Sequence, residues 1–169
     1  VNRPGGQGSP VIVVGVDGSP AADAALRWAI RQAARERGTV QAVAVREHPA
    51  SAPPAGPPRR TGTVAAHAAP LERLRAEVDA ARAALPAAPS VVEVTPTGDP
   101  AEELVRSADD ADLLVLGAHG PGGRRERVGG VTLACLRRAR CPVVVITSGA
   151  AERLGAPPRP APGQRPPPG

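Results

Sequence analysis

Apolar positions follow one another along this chain in two rhythms. Unbroken runs appear in VIVVGV (Val11 to Val16), TVQAVAVRE (Thr39 to Glu47), SVVEVTPTG, DLLVLG (Asp112 to Gly117) and VVVI (Val143–Ile146). They are too short for helices and have the pattern of strands covered on both faces. Between them the apolar residues recur at helical spacing. AADAALRWAIRQAARERG carries Ala22, Ala25, Leu26, Ala29, Ile30 and Ala33 on one stripe, with Ser19 placed to cap it, Pro20 at its first position and Gly38 to end it. Residues 64–85 read as a second helix with Leu71, Leu74, Val78, Ala81 and Leu85 on one face. Asp99-Pro100-Ala101-Glu102 forms a capping box that opens a third, burying Leu104, Val105 and Ala108. VTLACLRRA is the fourth, its arginines gathered where cations suit the helix dipole.

Strands alternating with helices predict an α/β fold with a single open five-stranded parallel sheet and helices on both faces. In a doubly wound (Rossmann-like or flavodoxin-like) sheet of order 3-2-1-4-5, strands one and four meet where the order reverses, and ligands bind beyond their C-terminal ends. Those ends are Gly15-Val16-Asp17 and Leu116-Gly117. The second leads into a loop carrying Gly120, Gly122, Gly123, Gly129 and Gly130. A helix that opens on Gly129-Gly130 leaves its first N–H groups unshielded, which favours an anion. Glycines alone serve a flexible turn equally well.

Composition narrows the function classes. With 41% hydrophobic residues in 169, this is one domain with enough chain for a core, built without methionine and with Trp28 as the only aromatic residue. Trp28 falls beside the apolar stripe of its helix and reads as packing along the sheet flank. The net charge of +5 sits mostly in the flanks, because 11–147 hold 17 arginines against 15 carboxylates. With no aromatic stacking platform or reading helix, specific nucleic-acid binding is not expected. Cys135 and Cys141 read as reduced, buried small hydrophobes and imply no metal. No run approaches the ~20 apolar residues of a membrane span, and VNRPGGQGSP lacks the layout of a signal peptide. The expectation is a cytoplasmic protein with a loose segment at 1–10, a domain at 11–147, a mobile Pro-rich loop at 48–63 and a disordered Pro-rich tail at 148–169. His48 and His67 flank that loop and read as solvent-facing.

Five motifs in order, VIVVGVDGSPAADAALRWA, GDPAEEL, ADLLVLGAHG, GGVTLACLRRA and CPVVVI, resemble the universal stress protein family, in its nucleotide-binding branch. The resemblance covers nearly all of 11–146. It implies an adenine nucleotide, ATP, as cofactor, with Mg²⁺ a companion left open. Asp17 would face the adenine, Gly15 and Val16 would line the same wall, and Val45 would pack on the base. Leu116 and Gly117 would border ribose and base. Gly120, Gly129, Gly130, Val131 and Thr132 would surround the phosphates. His119 and the Arg124-Arg125-Arg127 cluster would add positive charge there, or stand as a solvated loop. The resemblance also implies a homodimer, and the edge strand Val143–Ile146 has the unpaired backbone that a two-fold copy would cover.

The family motif G-x2-G-x9-G-[ST] is altered. From Gly120 the loop runs eight residues to Gly129 or nine to Gly130, and neither register supplies the hydroxyl. A shifted helix start would let Thr132 replace it. No lysine is present for a Walker loop, the first strand is not followed by GxGxxG, and no catalytic constellation is visible. The functional expectation is an ATP-binding stress sensor or regulator. The alternatives are a nucleotide-independent dimerising protein and a slow ATP hydrolase.

Overall fold

The computed structural model describes residues 9–47, 69–83, 85, 87–119 and 128–155. The Pro-rich loop at 48–63, His48, His67, and the flanks 1–8 and 156–169 lie outside the described residues. The elements run β1 (Val11–Gly15), α1 (Pro20–Glu36), β2 (Thr39–Val43), α2 (Ala69–Ala83), β3 (Val91–Val94), α3 (Pro100–Ser107), β4 (Leu113–Gly117), α4 (Gly130–Arg138), β5 (Val143–Ile146) and α5 (Ser148–Gly155). All five strands lie in one parallel sheet of order β3-β2-β1-β4-β5, the doubly wound arrangement the strand–helix alternation predicts. β1 is central: it pairs with β2 from Val11↔Thr39 to Gly15↔Val43, and with β4 from Ile12↔Leu113 to Val14↔Val115.

The strand period of two sends successive side chains to opposite faces. Ile12 and Val14 join Leu26, Ile30, Leu74, Val78 and Val115 in a core under α1, α2 and α5. Val13 points the other way, to Val43, Leu104, Leu114, Leu116 and Cys135 under α3 and α4. Continuous valine runs thus serve two cores at once. Trp28 is half-buried against the first core, as expected. Its helix α1 opens on Ser19, whose Oγ accepts from the Ala22 N–H at 3.2 Å. α3 opens on Asp99, whose Oδ1 accepts from the Glu102 N–H at 3.0 Å.

Several boundaries differ from the sequence expectation. β2 closes at Val43 rather than reaching Glu47; beyond it the chain keeps contact with the β3 side through the Ala44 N–H to the Val94 carbonyl at 3.0 Å and a single Arg46–Thr97 bridge. The left-handed residue that ends α1 is Arg37, with φ 55°, not Gly38. Gly38 is required for another reason: a Cβ there would stand 2.4 Å from the Pro10 carbonyl oxygen. α2 begins at Ala69, so the expected start at 64 lies outside the described residues. The chain also does not lose order after Ile146. Ser148–Gly155 is helical, because Ala150, Ala151 and Leu154 give it an apolar stripe that packs on the α1-side core.

Cys135 is buried, Cys141 half-buried, and both are free thiols. Burial pushes both thiols up, with Arg138 opposing it at Cys135, so neither is activated as a thiolate. Among the described residues no helix is long and apolar enough to cross a membrane.

Candidate functional site

The C-terminal ends of β1 and β4 lie side by side at the centre of the sheet, and the chain leaves them toward different faces. A crevice results from that topology alone. It holds a cleft of about 610 Å³, a volume in the range of small-molecule sites. Gly15, Val16 and Asp17 come to it from β1 and the following turn, and Val45 from beyond β2. Leu116 and Gly117 come from β4. Gly129, Gly130, Val131 and Thr132 come from the start of α4. The acidic turn and the glycine-led helix, far apart in the chain, therefore share one cavity.

Each end of the cleft has a local cause. Gly18, with φ 80°, turns the chain sharply after Asp17. Asp17 is exposed, and its Oδ1 accepts from the Ser19 N–H at 2.9 Å, so the carboxylate holds the turn while its other oxygen stays available. Ser19 is buried and donates to the His119 carbonyl at 3.4 Å, tying this turn to the segment after β4. At the other end, Gly129 caps α4 without a side-chain hydrogen bond, and no acid stands in the first turn. Helix geometry leaves the N–H groups of Gly130, Val131 and Thr132 without intrahelical acceptors. The Gly129 N–H is already spent on the Ala118 carbonyl at 2.7 Å.

Two side chains sit differently from the sequence expectation. Thr132 lines the cleft, but it is buried and donates its hydroxyl to the Gly117 carbonyl at 2.8 Å. Its one O–H proton locks α4 to β4 rather than facing an anion. His119 does not reach the cleft. It lines a separate groove between α1 and α5, with Nε2 at 3.4 Å from the Ser148 Oγ. Gly120 and the Arg124-Arg125-Arg127 cluster lie outside the described residues.

The cleft also has walls that the sequence did not reveal. Arg46 and Glu47 follow Val45 directly and could have been reached by extending the crevice rule to the end of β2. Pro100 and Leu104 arrive from α3 and Arg73 from α2, with no local signal to announce them. Arg73 Nε lies 3.8 Å from Glu77 Oε1. Burial raises the Glu77 carboxyl, against the pull of Arg73 and with the push of Asp23 and Asp17; its Oε2 is buried without a partner.

Glycine matters here for packing as well as for approach. A Cβ on Gly117 would stand 2.9 Å from the backbone C of Ala21 and N of Ala22, so this glycine lets α1 pass the end of β4. A Cβ on Gly130 would meet nothing within 4 Å.

Against known proteins, the universal stress protein family matches residues 10–147. The chain belongs to that family. Universal stress protein Rv2028c of Mycobacterium tuberculosis is 38% identical over 145 residues, and Rv2005c of the same organism is 33% identical over 147. Each alignment covers 81% of this chain and 48% of the relative; the chain spans about half the length of these curated relatives. Among solved structures, universal stress protein UspA from Lactobacillus plantarum is 28% identical, with a TM-score of 0.57 over 83% of this chain and 99% of that one. A universal stress protein in complex with cAMP is 26% identical, with a TM-score of 0.58 over 83% and 98%. The universal stress protein from Archaeoglobus fulgidus in complex with dAMP, 21% identical with a TM-score of 0.55 over 83% and 98%, shares the fold.

Proposed function

We propose that this universal stress protein binds an adenine nucleotide, ATP, in the cleft and acts as a sensor or regulator through that binding. The observation that carries the reading is the sharing of one cavity of about 610 Å³ by Asp17 and the open start of α4. In this reading the base lies between Val16, Val45 and Leu116, and the free oxygen of Asp17 accepts from the exocyclic amine or a ribose hydroxyl. Gly15, beside Leu116, keeps that wall flat. The phosphates meet the N–H groups of Gly130, Val131 and Thr132, helped by the positive end of the helix. The complexes of relatives with cAMP and dAMP support an adenine nucleotide as the ligand class. Mg²⁺ is assigned no protein ligand set, since among the described residues no group of three or more His, Cys, Asp or Glu could hold a metal; Asp17 alone is a poor site.

The altered glycine motif has a definite consequence here. The helix start offers main-chain donors but no side-chain hydroxyl, and Thr132 does not make up the loss. A hydrogen bond to a charged phosphate contributes ~1.5–3 kcal/mol, about tenfold to a hundredfold in affinity. The same observation favours a second reading, a nucleotide-independent dimerising protein. In both readings the edge strand β5 pairs with its two-fold copy. The exposed apolar side chains of Val128, Leu133 and Leu136 lie at or beside α4, the helix joined to that strand. Isothermal titration of the folded protein with ATP, ADP, AMP and cAMP separates the readings. Binding is expected; no heat from any of them at millimolar concentration, together with a dimer by light scattering, would establish the second reading instead.

A further inference from the structure

Outside the cleft, the molecule has a second concavity of about 660 Å³, between α1, the segment after β4 and α5. α5 starts at Ser148, beyond the 10–147 that match the family. The groove is therefore built partly by an element the family match does not include. Its apolar wall is Ala21 and Ala24 of α1 facing Ala151 and Leu154 of α5. Two of its polar atoms have no hydrogen-bond partner. Arg31 lines the groove, and its Nη2 is buried without a hydrogen-bond partner. Nδ1 of His119 is buried and unpartnered as well.

No carboxylate accepts from Nη2 of Arg31. Both oxygens of Asp23 accept from Arg27 Nε, at 3.1 and 2.9 Å, so that pair is closed and neutral. Glu152, also on the wall, has an interaction of its own. Burial, and then the positive charges of Arg35 and Arg27, hold the Arg31 guanidinium below its ordinary value. Nη2 of that guanidinium has been taken from water without receiving an acceptor, and a buried donor left without its hydrogen bond is unfavourable.

We propose that the α1–α5 groove binds a small carboxylate with an apolar body, its charge on Arg31 and its hydrocarbon on Ala24, Ala151 and Leu154. The flat guanidinium matches a carboxylate through paired N–H donors, and the long arginine stem lets it turn toward the groove. With Arg27 paired to Asp23 and the Glu152 carboxylate on the same wall, the groove suits a monoanion better than a phosphate dianion. Nδ1 of His119 stands to receive or donate a hydrogen bond at the polar end. The proposal is independent of nucleotide binding in the cleft.

Isothermal titration with benzoate tests it, with benzamide as the neutral isostere and inorganic phosphate as the competing anion. Benzoate is expected to bind at least about tenfold tighter than benzamide, and Arg31→Gln to bring it down to the benzamide level. Ala151→Leu, which keeps the charge and fills the groove, should abolish benzoate binding. ATP binding should be unchanged in both variants. The proposal is overturned if benzoate gives no heat at millimolar concentration, if it binds no better than benzamide, if phosphate binds more tightly, or if Arg31→Gln and Ala151→Leu leave its affinity as it was.

Discussion

The two concavities of this protein are of similar volume, about 610 and 660 Å³, and are made in opposite ways. The cleft between β1 and β4 relies on main chain at its anion-attracting end, with the side chains of Val45, Arg46, Arg73 and Leu104 on its other walls. Gly15, Gly117, Gly129 and Gly130 line it, and its anion-attracting end is a row of amides at the start of α4. The α1–α5 groove is made of side chains, with Arg27 and Arg31 on one helix and Ala151 and Leu154 on the other. A main-chain site is written into the chain as glycines at strand ends, and topology alone brings those ends together. A side-chain site depends on how two helix faces are turned toward one another, so it becomes visible only after folding.

That contrast can be broken or sharpened experimentally. The largest expected effect comes from Gly117→Val, which sets a Cβ 2.9 Å from the α1 backbone, where the obstacle is not a flexible side chain. A loss of about 3 kcal/mol is expected from such overpacking, or about 10 °C in melting temperature. A melting temperature within a degree of the parent would mean that α1 can retreat and that the cleft is not rigid main chain.

Asp17→Asn comes next. Asparagine can still accept from the Ser19 N–H and keep the turn, while the charge facing the base is lost. Nucleotide affinity is expected to fall about tenfold or more, with melting temperature little changed; an unaltered titration curve would remove Asp17 from the site. Gly130→Ser works in the other direction. The added side chain meets nothing within 4 Å, and its hydroxyl would stand where the phosphates are proposed to lie. Affinity for ATP should rise about tenfold, whereas an unchanged or weakened affinity would take the phosphates away from α4.

The smallest effect is a pH dependence. Burial raises the Glu77 carboxyl in the fold, so folding favours its neutral form. The unfolded chain ionises first as pH rises, and stability present in acid is lost as pH passes upward through the folded value. Glu77→Gln should therefore raise the melting temperature at neutral pH and leave it nearly unchanged in acid. Equal shifts at both would show that the Glu77 charge is not what matters.

The fold was largely legible in the sequence because its strands are unbroken valine runs and its helices carry clear caps. Ser19-Pro20 and Asp99-Pro100 mark the starts of α1 and α3 within a residue. α5 escaped because SGAAERLG is a single short amphipathic stretch ahead of a proline-rich tail, and helices of that length depend on packing rather than propensity. The site was legible where the strand ends and the turns after them make it, at Asp17, Gly117 and Gly129–Gly130. It was not legible where long-range contacts decide. Thr132 has the residue type for a phosphate contact, yet β4 takes its hydroxyl. His119 lies next to a loop glycine, yet its ring goes to α5. Arg73 reaches the cleft only because of where α2 packs.

The most direct test follows the backbone amides at both ends of the cleft by NMR during titration with ATP. The amides of Gly18 and Ser19, in the turn that Asp17 holds, and of Gly130 and Val131 at the start of α4, are expected to shift together and saturate with one dissociation constant. If one end shifts alone, or neither moves at millimolar ATP, no single nucleotide spans the cleft and the central claim fails.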